Sequence, residues 1–247
     1  MYRSMTAEEI RFTGDADDEL NAYFARPTDA GPFGGVIVIH HMPGWDEQTM
    51  EITRRFADRG YLALCPNLHH RDAPGASPDD AAAASRAAGG VPDDRFLGDM
   101  RGAISYLQSL DEHNGKVGVI GFCSGGRQAF LAACSIELDA AVDCYGGFVV
   151  GDPPPGMPVN IRPLLHLAEN LSCPLLGLFG QDDQHPSPAE VDELEAELKR
   201  LGKQHEFHRF DGAGHGFFAA DRTMYRPEAA VEGWRLIFSF FGRYLAG

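Results

Sequence analysis

The segment Gly121-Phe-Cys-Ser-Gly follows directly on the apolar run Lys116-Val-Gly-Val-Ile. A short apolar strand running into G-x-C-x-G reads as a strand-to-helix turn, in which the flanking glycines permit a tight, strained bend that lifts the central side chain clear of the sheet. The usual form of this elbow holds serine; here Cys123 stands at its centre, so sulfur replaces oxygen. A turn of this kind belongs to a buried strand followed at once by a helix, the repeating unit of an α/β architecture.

Two later segments complete the pattern. Pro174-Leu-Leu-Gly-Leu-Phe-Gly-Gln-Asp-Asp reads as a strand ending in the carboxylates Asp182 and Asp183, and Asp211-Gly-Ala-Gly-His-Gly-Phe as a glycine-rich loop carrying His215. Nucleophile, then acid, then histidine is the chain order of α/β-hydrolases. A thiol is activated by an imidazole base, and that base is oriented by a carboxylate.

The rest of the chain supports strand-helix alternation. Glu9-Ile-Arg-Phe and Glu19 to Arg26 flank the polar turn Gly14-Asp-Ala-Asp-Asp, which predicts an N-terminal antiparallel hairpin. Gly35-Val-Ile-Val-Ile-His is a continuous apolar run, Glu47 to Arg59 has helical character, and Tyr61-Leu-Ala-Leu-Cys is the next strand. Pro66 to Pro92, rich in Pro, Asp and Ala, is expected to be a long excursion over the sheet before a helix from Asp94 to Leu110. A helix follows the elbow to Cys134, Ala140-Ala-Val-Asp-Cys-Tyr is a strand, and Asp152-Pro-Pro-Pro-Gly-Met-Pro is an irregular connection. Ser187-Pro-Ala-Glu opens a capped helix to Leu201, Gln204 to Phe210 forms a last strand, and Glu228 to Leu245 closes the chain as a helix. The expected fold is a mainly parallel sheet flanked by helices in one domain spanning 1–247, with ligands at the carboxyl ends of the strands.

Bulk properties narrow the function. The start, Met-Tyr-Arg-Ser-Met-Thr-Ala-Glu-Glu, lacks a basic region followed by an apolar one, and no stretch approaches the roughly 18 apolar residues that span a bilayer. The expected location is the cytoplasm, with no membrane partner. A formal charge of −15 argues against nucleic-acid binding. The cysteines Cys65, Cys123, Cys134, Cys144 and Cys173 are widely spaced and fit reduced thiols better than a disulfide framework. His40-His41 and His69-His70 lack a third ligand at suitable spacing, so no metal site is expected, nor any cofactor.

Gly121-Phe-Cys-Ser-Gly-Gly, Arg59-Gly-Tyr-Leu-Ala-Leu-Cys-Pro-Asn-Leu, the acid strand and Gly212-Ala-Gly-His-Gly-Phe together resemble the dienelactone hydrolase family, whose α/β-hydrolase fold carries a cysteine in the elbow. The resemblance covers most of the chain and implies a Cys123-His215-Asp183 triad, with Asp182 the alternative acid. It implies an oxyanion hole from the backbone N–H groups of Ser124 and Met42. At the position where the family often has a thiol-activating glutamate, this chain has His41. An imidazole cannot reproduce a carboxylate's charge, so its part in activating Cys123 is altered. The family's substrate-binding arginine shortly after the histidine is absent from Gly216-Phe-Phe-Ala-Ala-Asp; Arg222 comes later.

The aromatic residues next to the motifs, Trp45, Phe122, Tyr145 and Phe217, are candidates for a substrate pocket, with core packing as the alternative. The expected activity is hydrolysis of small activated esters or lactones through a thioester, resembling carboxymethylenebutenolidase, by a monomer or homodimer. Two alternatives stay open on the same fold: a binding or redox-responsive protein that has lost turnover, and an acyltransferase.

Overall fold

The structure is a computed structural model and describes residues 4–157 and 159–246. Met1–Arg3, where the leader was sought, Pro158 of the proline-rich connection and Gly247 lie outside the described residues.

The N-terminal hairpin forms as expected: β1 (Met5–Thr13) pairs antiparallel with β2 (Glu19–Pro27). Apolar runs then build β3 (Phe33–Ile39), β4 (Leu62–Pro66), β5 (His113–Phe122), β6 (Ala140–Cys144), β7 (Leu175–Gly180) and β8 (His205–Phe210). The sheet order is β1-β2-β4-β3-β5-β6-β7-β8, and every pair from β4 onward is parallel. The architecture is a mixed eight-stranded sheet, mainly parallel, with the antiparallel hairpin at one edge.

Helices cover both faces, as a parallel sheet requires. The period-2 alternation of β3 shows the division. Val36 and Val38 pack with Phe56 of α1 (Glu47–Asp58) and with Ile237 and Phe241 of α6 (Pro227–Tyr244). Ile37 and Ile39 face the cluster that holds Phe96 of α3 (Asp93–Gln108), Phe130 of α4 (Ser124–Ser135) and Leu194 of α5 (Pro188–Arg200). Among the described residues no helix is long and apolar enough to cross a membrane.

One element departs from expectation. The excursion after β4 contains a helix, α2 (Pro78–Ala87), capped by Ser77, whose side chain accepts the Asp80 N–H. The signal was present: a Ser cap, Pro at the first helical position, then two acidic residues and an alanine run.

The chain crosses from β4 over to β5, on the other side of β3, so the carboxyl ends of β3 and β5 flank a switch point of the strand order. Crevices of this kind are where open α/β sheets bind ligands. Nearby, one buried ion pair ties three distant segments together. Fully buried Asp99 of α3 accepts from Arg71 Nη1 and Nη2, each at 3.0 Å, and from the Asp15 N–H at 2.9 Å. Removing one partner of such a pair strands the other charge. Asp99→Ala is therefore expected to lower unfolding free energy by about 3 kcal/mol in urea titrations, well beyond an exposed substitution such as Glu19→Ala.

Candidate active site

Cys123 sits between β5 and α4 with φ 57° and ψ −120°, a left-handed conformation that costs free energy in any residue bearing a Cβ. The glycines explain how it is reached. A Cβ on Gly121 would lie 1.8 Å from the Gly125 carbonyl oxygen, and one on Gly125 would lie 2.5 Å from the oxygen of Ile39 and 2.8 Å from that of His40. The G-x-C-x-G spacing thus lets α4 start directly against the end of β3 and points the half-buried thiol into the crevice.

The acid and the histidine arrive from loops after the next strands. Asp183, just past β7, is buried; its Oδ1 accepts the His185 N–H at 2.9 Å and its Oδ2 accepts from His215 Nδ1 at 2.9 Å. Of the two candidate acids, Asp183 is the one bonded to His215, whereas Asp182 is exposed at the edge of the same crevice. Cys123 borders the same crevice as His215. Burial alone would depress the His215 pKa, but its interactions with Asp183 and Cys123 outweigh burial and carry it up to about 10. The imidazolium form is therefore strongly favoured beside the thiol.

The loop after β3 supplies the other wall. His40 is buried and held in one tautomer: Nδ1–H donates to the His41 carbonyl at 2.9 Å, and Nε2 accepts the Leu68 N–H at 3.2 Å. Burial pushes its pKa down to about 3, so the ring is a neutral brace between this loop and the one after β4. His41, expected near the thiol, borders the smaller chamber together with Cys123, and its Nε2 lies 2.6 Å from Asp46 Oδ2. Asp46 also caps α1 by accepting from the Thr49 N–H and Oγ1. Burial opposes ionisation of Asp46, yet the hydrogen bonds from His41 and Thr49 hold its pKa at about 2.

Two chambers meet at the thiol. The larger, of about 350 Å³, is bordered by Met42, Ser124, Leu68, Val91, Phe148 and Ile161 among others. Arg127 of α4 forms part of its floor and is locked by Asp93 at 2.7 and 2.9 Å and by the Arg162 carbonyl at 2.9 Å. The smaller, of about 100 Å³, is bordered by His41, Gln48, Phe122, Tyr145, Arg222 and Met224 among others. Cys123, His215 and His40 border both.

Of the aromatic candidates, Phe122 and Tyr145 border the smaller chamber, and Tyr145 lies edge-on to His215 with ring centroids 5.2 Å apart. Trp45 and Phe217 are corrections: both are core residues that border neither chamber. Trp45 is buried with its indole N–H donated to the Cys65 carbonyl at 3.0 Å. Phe217 is fully buried and stacked on Phe218. The residues that do wall the larger chamber come chiefly from the two long connections, whose length and position at the carboxyl edge were the available signal.

Asp143 was also missed. It is fully buried at the end of β6, accepts the Gly146 N–H at 2.7 Å and is pushed by burial to a pKa of about 7. It braces the turn carrying Tyr145 against the start of α4: a Cβ on Gly126 would fall 2.4 Å from Asp143 Oδ1.

A mixed sheet with Cys123 in a sharp turn after β5, Asp183 in the loop after β7 and His215 in the loop after β8 is the α/β-hydrolase fold. The chain belongs to the dienelactone hydrolase family, which matches residues 20–245, and it is a hydrolase of the ester and lactone class to which that family belongs. It is 32% identical over 231 residues to a protein of Methylorubrum extorquens named "Putative carboxymethylenebutenolidase", covering 92% of this chain and 78% of the relative. An Escherichia coli K12 protein of the same name is 33% identical over 236 residues, covering 92% and 83%. Among solved structures, the "Putative Dienelactone Hydrolase" from Klebsiella pneumoniae superposes with a TM-score of 0.87 at 29% identity, covering 98% of this chain and all of that one.

The elbow's tolerance can be measured. Gly125→Ala forces its new methyl against the Ile39 and His40 carbonyls, so a stability loss of about 1–3 kcal/mol is expected from thermal or urea unfolding. Activity should be lost beyond what the unfolded fraction explains.

Proposed function

We propose that this chain is a cysteine-dependent hydrolase of small activated esters or lactones, acting through a Cys123 thioester as one catalytic domain over 1–247. The observation that carries this reading is that Cys123 and His215 border the same two chambers, with His215 joined to Asp183 at 2.9 Å.

Cys123 Sγ attacks the carbonyl carbon, and the oxyanion is held by the backbone N–H groups of Ser124 and Met42, the first at the start of α4, where helix amides lack intrahelical partners. The tetrahedral adduct collapses as the C–O bond breaks and the imidazolium of His215 delivers its proton to the leaving oxygen. Water then gives a proton to His215, its oxygen bonds to the acyl carbon, and the thiolate leaves. Asp183 holds the ring in the orientation that both steps need. A thiolate is itself a good leaving group, so enol esters and enol lactones suit this site better than unactivated amides. His41, bonded to Asp46, serves here as part of the chamber wall rather than as the thiol's base.

Cys65, Cys134, Cys144 and Cys173 are unpaired and buried, and Cys123 is unpaired, which supports a reducing, cytoplasmic setting; the reading takes the chain to act as a monomer or homodimer. No nucleic acid, membrane, metal or cofactor enters the reading.

Intact mass during turnover of an activated ester tests it. Wild type should show a transient acyl adduct, whereas Cys123→Ala should show none and lose on the order of 10⁴-fold in rate. The pH profile gives a second test. The protonated form of His215 is lost as pH rises through about 10, so kcat/KM should fall on the alkaline side near that pH. In Asp183→Asn, which replaces the charged acceptor that raises the pKa with a neutral one, the alkaline limb should move to lower pH, with a rate loss of about 10²-fold or more.

A further inference from the structure

The division of the crevice into two unequal chambers carries an inference about substrate shape that rests on the cysteine-hydrolase reading. Met42 and Ser124, whose amides receive the oxyanion in that reading, border only the larger chamber. The acyl carbon and the chain attached to it therefore lie on that side. His215, which must protonate the departing oxygen, borders both chambers, as does Cys123. The scissile C–O bond consequently crosses the boundary between them, and the alcohol part points into the smaller one.

The chambers differ in size and in chemistry. A cavity of ~150 Å³ accepts a benzene-sized guest, so about 350 Å³ holds an acyl group of roughly fourteen heavy atoms and about 100 Å³ holds an alcohol of roughly four. The larger chamber is walled near the thiol by apolar side chains, including Leu68, Val91, Phe148 and Ile161. The smaller one is bordered by Ile52, Phe122, Tyr145 and Met224, with Gln48 and Arg222 among its polar members.

We propose that the enzyme selects esters that are unequal in size, with a bulky apolar acyl group in the larger chamber and a small alcohol, then water, in the smaller one. In acylation the Cys123 sulfur bonds to the acyl carbon, the ester C–O bond breaks, and the alcohol oxygen takes its proton from His215. In hydrolysis water occupies the vacated smaller chamber, its oxygen bonds to the acyl carbon, one proton passes to His215 and the C–S bond breaks. A lactone satisfies the same rule when the arm that bears its ring oxygen is short.

A pair of isomeric enol esters tests the assignment at constant mass and similar leaving-group chemistry: vinyl 4-phenylbutanoate and 4-phenylbut-1-enyl acetate. The first has the large acyl and small alcohol part; the second reverses them. Wild type should favour the first in kcat/KM by about tenfold or more. Met224 is an exposed wall residue of the smaller chamber, so Met224→Ala enlarges it at little cost to folding. It should narrow the ratio by about threefold or more by admitting the bulky alcohol. Equal rates, a reversed preference or a ratio unmoved by Met224→Ala overturns the chamber assignment. Intact mass separates that failure from a deeper one. A 4-phenylbutanoyl or acetyl adduct on Cys123 without the predicted ratio leaves the cysteine hydrolase standing and removes the inference. If neither ester leaves an adduct on Cys123 or is hydrolysed, the hydrolase reading fails and the inference with it.

Discussion

The left-handed backbone at Cys123 is the constraint around which this molecule is arranged. At φ 57° and ψ −120° the residue is held against its own preference, and strain of that kind persists only where the surroundings over-determine it. Here the surroundings are backbone. The start of α4 is pressed on the carbonyls at the end of β3, and Asp143 props the same helix start from β6 through the turn at Gly146. Neither contact leaves room for a side chain, so α4, β3 and β6 fix one another and leave the thiol facing the switch point of the sheet.

Electrostatics then act on a geometry already set. His215 gains its proton affinity from Asp183 and Cys123 against the pull of burial. His40 a few ångströms of wall away has the opposite fate: burial leaves it neutral, with both ring nitrogens spent on backbone groups. Of these two histidines, only His215 has a carboxylate on its ring. The His41-Asp46 pair is a third outcome, in which the carboxylate divides itself between an imidazole and the cap of α1. That double duty ties the loop bearing Met42 to the first helix of the fold.

The parts of this arrangement legible in the sequence were those dictated locally. Gly121 and Gly125 announce a backbone approach, Gly35 to Ile39 announces a strand buried on both faces, and Ser187 with Glu190 announces a capped helix that is present with its reciprocal hydrogen bonds. The walls of the chambers were not legible, because they depend on how distant loops converge. Trp45 and Phe217 sit beside motif residues, yet adjacency along a chain says little about which way a ring turns; both found the core of α1 and α6. Phe148 and Ile161, remote from every motif, border the larger chamber instead. Asp143 was hidden by its setting in an apolar strand, where a single carboxyl has no partner pattern to betray it.

The larger chamber draws much of its wall from the connections after β4 and β6, while Cys123, Asp183 and His215 stand past the ends of β5, β7 and β8. Reaction and recognition are thereby written on different parts of the chain. Connections of this kind accept replacement, insertion and reshaping far more readily than packed strands do. A lineage bearing this scaffold can reshape what the crevice admits by altering two surface segments, and the Cys123, Asp183 and His215 arrangement is inherited intact.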